Sequence, residues 1–201
     1  MIRLIYVMLL VLSLTAAAVQ AKTLLILGDS LSAGYGLSQQ QSWVHLLQQK
    51  LDQQDSDWTL VNASISGETS GGGLARLPAL LEQHKPDYVL IELGANDGLR
   101  GFPVPQLEAN LNAMITQIKQ QQSKAVLMQI RIPPNYGPRY TKLFTDLYPK
   151  VAEKQQIPVW PFFMETIALK QQWMQADGLH PNLEAQPVIA DLMLPLVSGL
   201  E

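Results

Sequence analysis

Lys22-Thr23-Leu24-Leu25-Ile26-Leu27-Gly28-Asp29-Ser30-Leu31 is the stretch that decides how this chain folds. A short apolar run that breaks into Gly-Asp-Ser reads as a strand ending in a loop that carries a hydroxyl. Four similar runs follow, at about Trp58 to Ala63, Tyr88 to Leu93, Ala125 to Ile130 and Ile157 to Trp160. Longer segments of helical period separate them, which is the pattern of βα units and of an α/β fold with a mostly parallel sheet.

The helical period is clearest in Leu107, Leu111, Met114, Ile115 and Ile118, and weaker in Val44, Leu47 and Leu51. Val188, Ile189, Leu192 and Leu196 mark a last helix, with Pro187 in its first turn and Pro195 near its end. No repeat or linker divides the chain, and Gln39 to Gln41 and Gln120 to Gln122 read as exposed helix ends.

At 201 residues, 47% hydrophobic and 15% charged, the chain suits one domain with a sizeable core. Residues 1–21 read as a signal peptide: Arg3 is the only early charge, Leu4 to Leu14 is nearly all apolar, and Val19-Gln20-Ala21 suits cleavage. That apolar run is shorter than the ~20 residues that span a bilayer, so no stable membrane anchor is expected. The domain of residues 22–201 is expected to be periplasmic or secreted. The absence of cysteine removes disulfides, thiol nucleophiles and thiolate ligands. A net charge of −3, and no run of Lys or Arg beyond the scattered Arg131, Arg139 and Lys142, argue against nucleic acid as a partner.

Ligands of an open α/β sheet bind outside the carboxyl ends of its strands, and the polar motifs gather there. Ser30 follows the first strand, Ser66-Gly67-Glu68 the second and Gly94-Ala95-Asn96-Asp97 the third, while Asp177-Gly178-Leu179-His180-Pro181-Asn182 precedes the last helix. A serine hydroxyl needs a base, and the base needs a group that holds its tautomer. His45 falls inside a helix and His84 in the polar tail of another, which leaves His180 with Asp177 three positions before it. An oxyanion would find donors in the Ser30 N–H, the Gly67 N–H and the Asn96 amide. Each loop also has a plainer reading: Asp29 or Ser30 as a helix cap, Asn96-Asp97-Gly98 as a turn, Gly67 to Gly73 as a flexible loop, and Asp177 and Asn182 as caps.

These four blocks resemble those of the GDSL, or SGNH, hydrolases, with Ser30, Gly67, Asn96 and His180 as the four eponymous residues. The likeness extends through Asn62 to Ser70, Gly94 to Gly101, Met128 to Arg131 and Trp173 to Pro181, and is similar to the periplasmic acyl-CoA thioesterase I, lysophospholipase and protease I subgroup. The resemblance implies a flavodoxin-like three-layer αβα sandwich with a five-stranded parallel sheet. It also implies a Ser30, His180 and Asp177 triad, an oxyanion hole from Ser30, Gly67 and Asn96, and cleavage of acyl thioesters and esters, lysophospholipids among them. Neither cofactor nor metal enters such a reaction, and a monomer is expected.

Rival readings are weaker. Asp29, Asp97, Asp177 and His180 lack the two histidines or three close carboxylates of a metal site. Gly67 to Gly73 is not followed by Gly-Lys-Ser/Thr, and a GxSxG elbow is absent. An O-acyl transferase or carbohydrate deacetylase would share every catalytic residue, while a non-catalytic exported binding module could dispense with Ser30 and His180. Leu99 and Phe102, in an apolar loop after Asn96, are the expected acyl-chain contacts. On that reading Phe102→Ala should lower activity on long chains more than on acetyl esters. Because the base must be neutral, activity is expected to fall as pH drops through the ordinary imidazole range near ~6.5.

Overall fold

The computed structural model of the protein describes residues 21–200, so the expected signal segment, Ala21 apart, lies outside the described residues. Five strands, β1 (Lys22–Gly28), β2 (Trp58–Asn62), β3 (Tyr88–Glu92), β4 (Lys124–Met128) and β5 (Val159–Trp160), form one sheet in the order β2-β1-β3-β4-β5. Every neighbouring pair is parallel, with Leu24 facing Leu60 and Ile26 facing Leu90 in register. Leu24 to Leu27, Val89 to Ile91 and Val126 to Met128 are buried, as strands covered on both faces must be.

The helices are α1 (Ser30–Ala33), α2 (Trp43–Gln53), α3 (Ser70–His84), α4 (Ala95–Leu99), α5 (Val104–Gln120), α6 (Pro138–Gln155), α7 (Met164–Ile167) and α8 (Ala185–Ser198). α2 packs on α8, whereas α3 packs on α5 and α5 on α6. Right-handed crossovers put these two groups on opposite faces of the sheet, giving the three layers. The periodic residues of α2 and α5 are buried as their spacing predicts. In α8 the buried face is instead Ala185, Ile189, Ala190, Met193 and Val197, with Val188, Leu192 and Leu196 only partly covered. A helix apolar nearly all round offers no single stripe to read, so its tertiary contacts choose the face.

Strand ends also differ from the apolar runs. Leu93 and Ile130 are buried but lie past the ends of β3 and β4. The last run yields a strand of only two residues because the Ile157 N–H is spent on the Ala152 carbonyl at the end of α6, and Pro158 has no N–H to give. The chain runs from β1 outward to β2 and then returns over β1 to β3. Loops from β1 and β3 therefore diverge at that switch point and leave a crevice at the carboxyl edge of the sheet.

Candidate active site

Gly28 ends β1 so close to the buried Glu92 carboxylate and the Ser64 hydroxyl that any side chain there would collide with both. The chain then turns directly into α1, whose first residue is Ser30. Asp29 caps this helix by accepting from the Leu31 N–H at 3.0 Å, and the Trp43 indole N–H fastens the Leu31 carbonyl at 3.1 Å. The reading of Asp29 as a cap is therefore correct, and it is compatible with a reactive Ser30 because the cap fixes where the next hydroxyl stands.

His180 reaches Ser30 from the other end of the chain. Its Nε2 lies 2.9 Å from Ser30 Oγ, and its Nδ1 lies 2.6 Å from Asp177 Oδ2. The other Asp177 oxygen accepts from the backbone N–H groups of Leu179 at 2.9 Å and His180 at 3.0 Å. An ionised carboxylate only accepts, so Nδ1 carries the proton and Nε2 is left to accept from the serine hydroxyl. Partial burial pushes the Asp177 carboxyl up, but the backbone and ring N–H donors of His180 and the Leu179 N–H outweigh it and hold the group down at about 2. His45 lies within α2, and His84 ends α3, so neither joins this chain of bonds.

Gly67 has a φ of 80°, in the left-handed region that disfavours side chains, and its carbonyl accepts from the Arg100 guanidinium at 3.1 Å. Neither the Gly67 N–H nor the Ser30 N–H has a hydrogen-bond partner among the described residues. The Asn96 amide nitrogen lies 3.1 Å from Asp29 Oδ2 and 3.0 Å from the Glu68 carbonyl, so both of its protons are engaged at rest. Gly94, at φ 119°, brings this loop out of β3; the Tyr148 hydroxyl occupies the space a side chain would need and donates to the Leu93 carbonyl. Asp97 turns away to the start of α3, where it accepts from the Ser70 N–H at 2.8 Å and the Ser70 hydroxyl at 2.5 Å. It is thus not available beside Asp29 and Asp177, and among the described residues no group of three His, Cys, Asp or Glu could hold a metal ion.

Two buried carboxyls lie under the site. Burial pushes the Asp29 carboxyl up to about 6, against the Leu31 N–H, the charge of His180 and the Asn96 amide, which favour ionisation, and with the Asp97 charge, which opposes it. Glu92 is pushed well above the usual carboxylate range by burial and by the Asp29 charge, although the Ser32 hydroxyl at 2.7 Å and the Asp29 N–H at 3.3 Å partly offset this.

Ser30, Asn96 and His180 border a cavity of about 680 Å³ whose wall is mainly apolar, including Leu99, Ile132, Phe162, Met164 and Leu179. Leu99 is where the sequence placed it. Phe102 is not: it lies outside this wall, half-buried, with its carbonyl held by the Tyr140 hydroxyl at 2.7 Å. Ile132, Phe162 and Met164 come from segments the sequence reading did not connect with the site. Tyr35 was missed as well, although its ring stacks on His180 with centroids 4.2 Å apart, and so was Gln175, which bonds the segments of both residues.

A hydroxyl, an imidazole and a carboxylate in hydrogen-bonded series, opening on a mainly apolar cavity in an αβα fold, are the working parts of a serine ester hydrolase. The chain belongs to the GDSL-like lipase/acylhydrolase family, whose profile matches residues 26–186. It is 56% identical over 180 residues to an arylesterase of Vibrio mimicus, covering 90% of each chain. It is equally identical over 180 residues to the thioesterase 1/protease 1/lysophospholipase L1 of Escherichia coli strain K12, covering 90% of this chain and 85% of that one. Its structure is similar to that of the psychrotrophic esterase EstA of Pseudoalteromonas sp. inhibited by monoethylphosphonate. There the TM-score is 0.87 at 55% identity, over 88% of this chain and 97% of that one.

Proposed function

We propose that the protein hydrolyses carboxylic esters and acyl thioesters, lysophospholipids among them, through an acyl-enzyme on Ser30. The observation that carries this reading is the continuous run from Ser30 Oγ to His180 Nε2, at 2.9 Å, and from His180 Nδ1 to Asp177 Oδ2, at 2.6 Å. Ser30 Oγ attacks the acyl carbonyl while its proton passes to His180 Nε2, and Asp177 stays ionised beside the imidazolium. The oxyanion receives the Ser30 and Gly67 N–H groups and one proton of the Asn96 amide, which leaves Asp29 or the Glu68 carbonyl to meet it. His180 then gives its proton to the departing alcohol or thiol, and water releases the acyl group by the same route.

The apolar cavity favours acyl chains over the acetyl groups of sugars, which supports an esterase or thioesterase over a carbohydrate deacetylase. The names of the arylesterase and of the thioesterase and lysophospholipase relatives support the same substrate classes. Residues 1–21 act as a cleaved signal peptide and deliver a monomer to the periplasm; no helix among the described residues is long and apolar enough to cross a membrane. Mass measurement of the exported protein should find Lys22 at its start.

The decisive experiment sets acyl-CoA, lysophospholipid, aryl ester and p-nitrophenyl ester substrates against the purified protein and Ser30→Ala, with fluorophosphonate labelling of both. Hydrolysis and labelling at Ser30 that vanish together in Ser30→Ala are expected. Undiminished hydrolysis by Ser30→Ala would end the proposal.

A further inference from the structure

Tyr35 is 49% exposed, and its hydroxyl makes no hydrogen bond among the described residues. Its ring is in use nonetheless: it lies over the His180 imidazole at 4.2 Å between centroids, inclined by 30°. The backbone that carries it is fixed on two sides. The Tyr35 N–H donates to the Ser30 carbonyl at 3.2 Å, and the Gln175 side-chain amide donates to the Tyr35 carbonyl at 2.8 Å. The same Gln175 nitrogen donates to the Pro181 carbonyl at 3.0 Å, and the Gln175 backbone N–H donates to the His180 carbonyl at 2.8 Å. One side chain therefore ties the segment that follows the nucleophile to the segment that carries the base, across 140 positions of sequence.

We propose that Tyr35, held by Gln175, is a positioning residue for His180: its ring fixes the plane of the imidazole and stabilises the imidazolium that forms when Ser30 attacks. This rests on the reading of Ser30 and His180 given above. Asp177 orients the ring from its edge through Nδ1 and the buried Asp29 adds a more distant negative charge, but neither covers the ring face. A π face attracts a cation more strongly than a neutral ring, so it favours the charged state that exists during proton transfer more than the resting state. The proton passes from Ser30 Oγ to His180 Nε2 and then to the leaving group; Tyr35 exchanges none.

The test compares Tyr35→Phe, Tyr35→Leu, Gln175→Met and His180→Ala on p-nitrophenyl acetate and on an ester with a bulky leaving group, with melting temperatures measured for each. Phe keeps the π face and should restore nearly full kcat. Leu keeps apolar bulk without the π face and should lower kcat by about threefold to tenfold at unchanged KM on both esters, with the acid limb of the pH profile moved to lower pH. Gln175→Met should lower kcat similarly, and the Tyr35→Leu/Gln175→Met pair should cost less than the product of the two single losses. Equal kcat in the Phe and Leu variants, an equal loss in both, or a KM rise that grows with the leaving group would overturn the proposal. Activity surviving in His180→Ala would instead strike at the reading beneath it.

Discussion

Asn96 has a divided role at the scale of single residues. At rest its amide is held by Asp29 and the Glu68 carbonyl, so in the proposed mechanism it is aimed before substrate arrives and exchanges one partner for the oxyanion. Preorganised donors of this kind typically contribute ~10²–10³ in turnover. Asn96→Ala should lower kcat by about that factor while leaving the melting temperature within a few degrees; kcat close to that of the parent enzyme would free Asn96 from this part. The candidate roles of Ser30, Gly67, Asn96, Asp177 and His180 were legible in the sequence because each sits in a short motif whose residue types announce a turn, a close approach or a proton acceptor. Tyr35, Gln175 and Glu92 were not. Tyr35 meets its partners only after the first and last loops of the sheet have been brought together, and Glu92 reads from the sequence as part of an apolar strand. Its neighbourhood with Asp29 and Ser32 is a product of strand pairing, since Gly28 and Glu92 stand opposite each other in register.

Elements, rather than single residues, shape the cavity, and here the sequence was a poorer guide. Hydropathy marked the loop after Asn96, but only Leu99 of the expected Leu99 and Phe102 pair borders the cavity. The rest of the wall comes from the segment after β4, from α7 with its flanks, and from the turn before His180, which are assembled by the order of the strands. The lesson is physical: an apolar loop residue can face a ligand or its own framework, and the Tyr140 bond to the Phe102 carbonyl settles that loop against α6. Ala168, exposed at the end of α7, does border the cavity. Burial of each methylene is worth about 0.8 kcal/mol, so a side chain that denies about four of them should cost on the order of 10²-fold. Ala168→Trp is expected to lower kcat/KM for long acyl esters by that order and to spare acetyl esters. Phe102→Ala should leave the ranking of chain lengths as it was. Kinetics on a homologous ester series decides the matter: a uniform loss in Ala168→Trp, or selective loss in Phe102→Ala, would place the acyl chain elsewhere.

For the whole molecule, the crevice edge carries carboxyls that the fold shifts from their ordinary range in both directions, and stability should record this as a function of pH. Asp177 is held at about 2, below its ordinary 3.8, so the stability it contributes is complete above 3.8 and is lost as pH falls from there toward 2. Asp29 behaves in the opposite sense. Raised from 3.8 to about 6, it binds more protons in the folded than in the unfolded state between those values, so stability declines as pH rises through that window. Glu92, raised well above 4.5 by burial and by Asp29, extends the decline to higher pH, and its second carboxyl oxygen is buried without a hydrogen-bond partner. Glu92→Gln keeps the shape and the acceptor facing Ser32 but cannot ionise. Its melting temperature relative to the parent protein should therefore climb from pH 4 to pH 8. Calorimetry across that range gives the answer. A difference that stays constant, or that falls with pH, would mean that Glu92 ionises in the folded protein at least as readily as in water, against the burial that surrounds it.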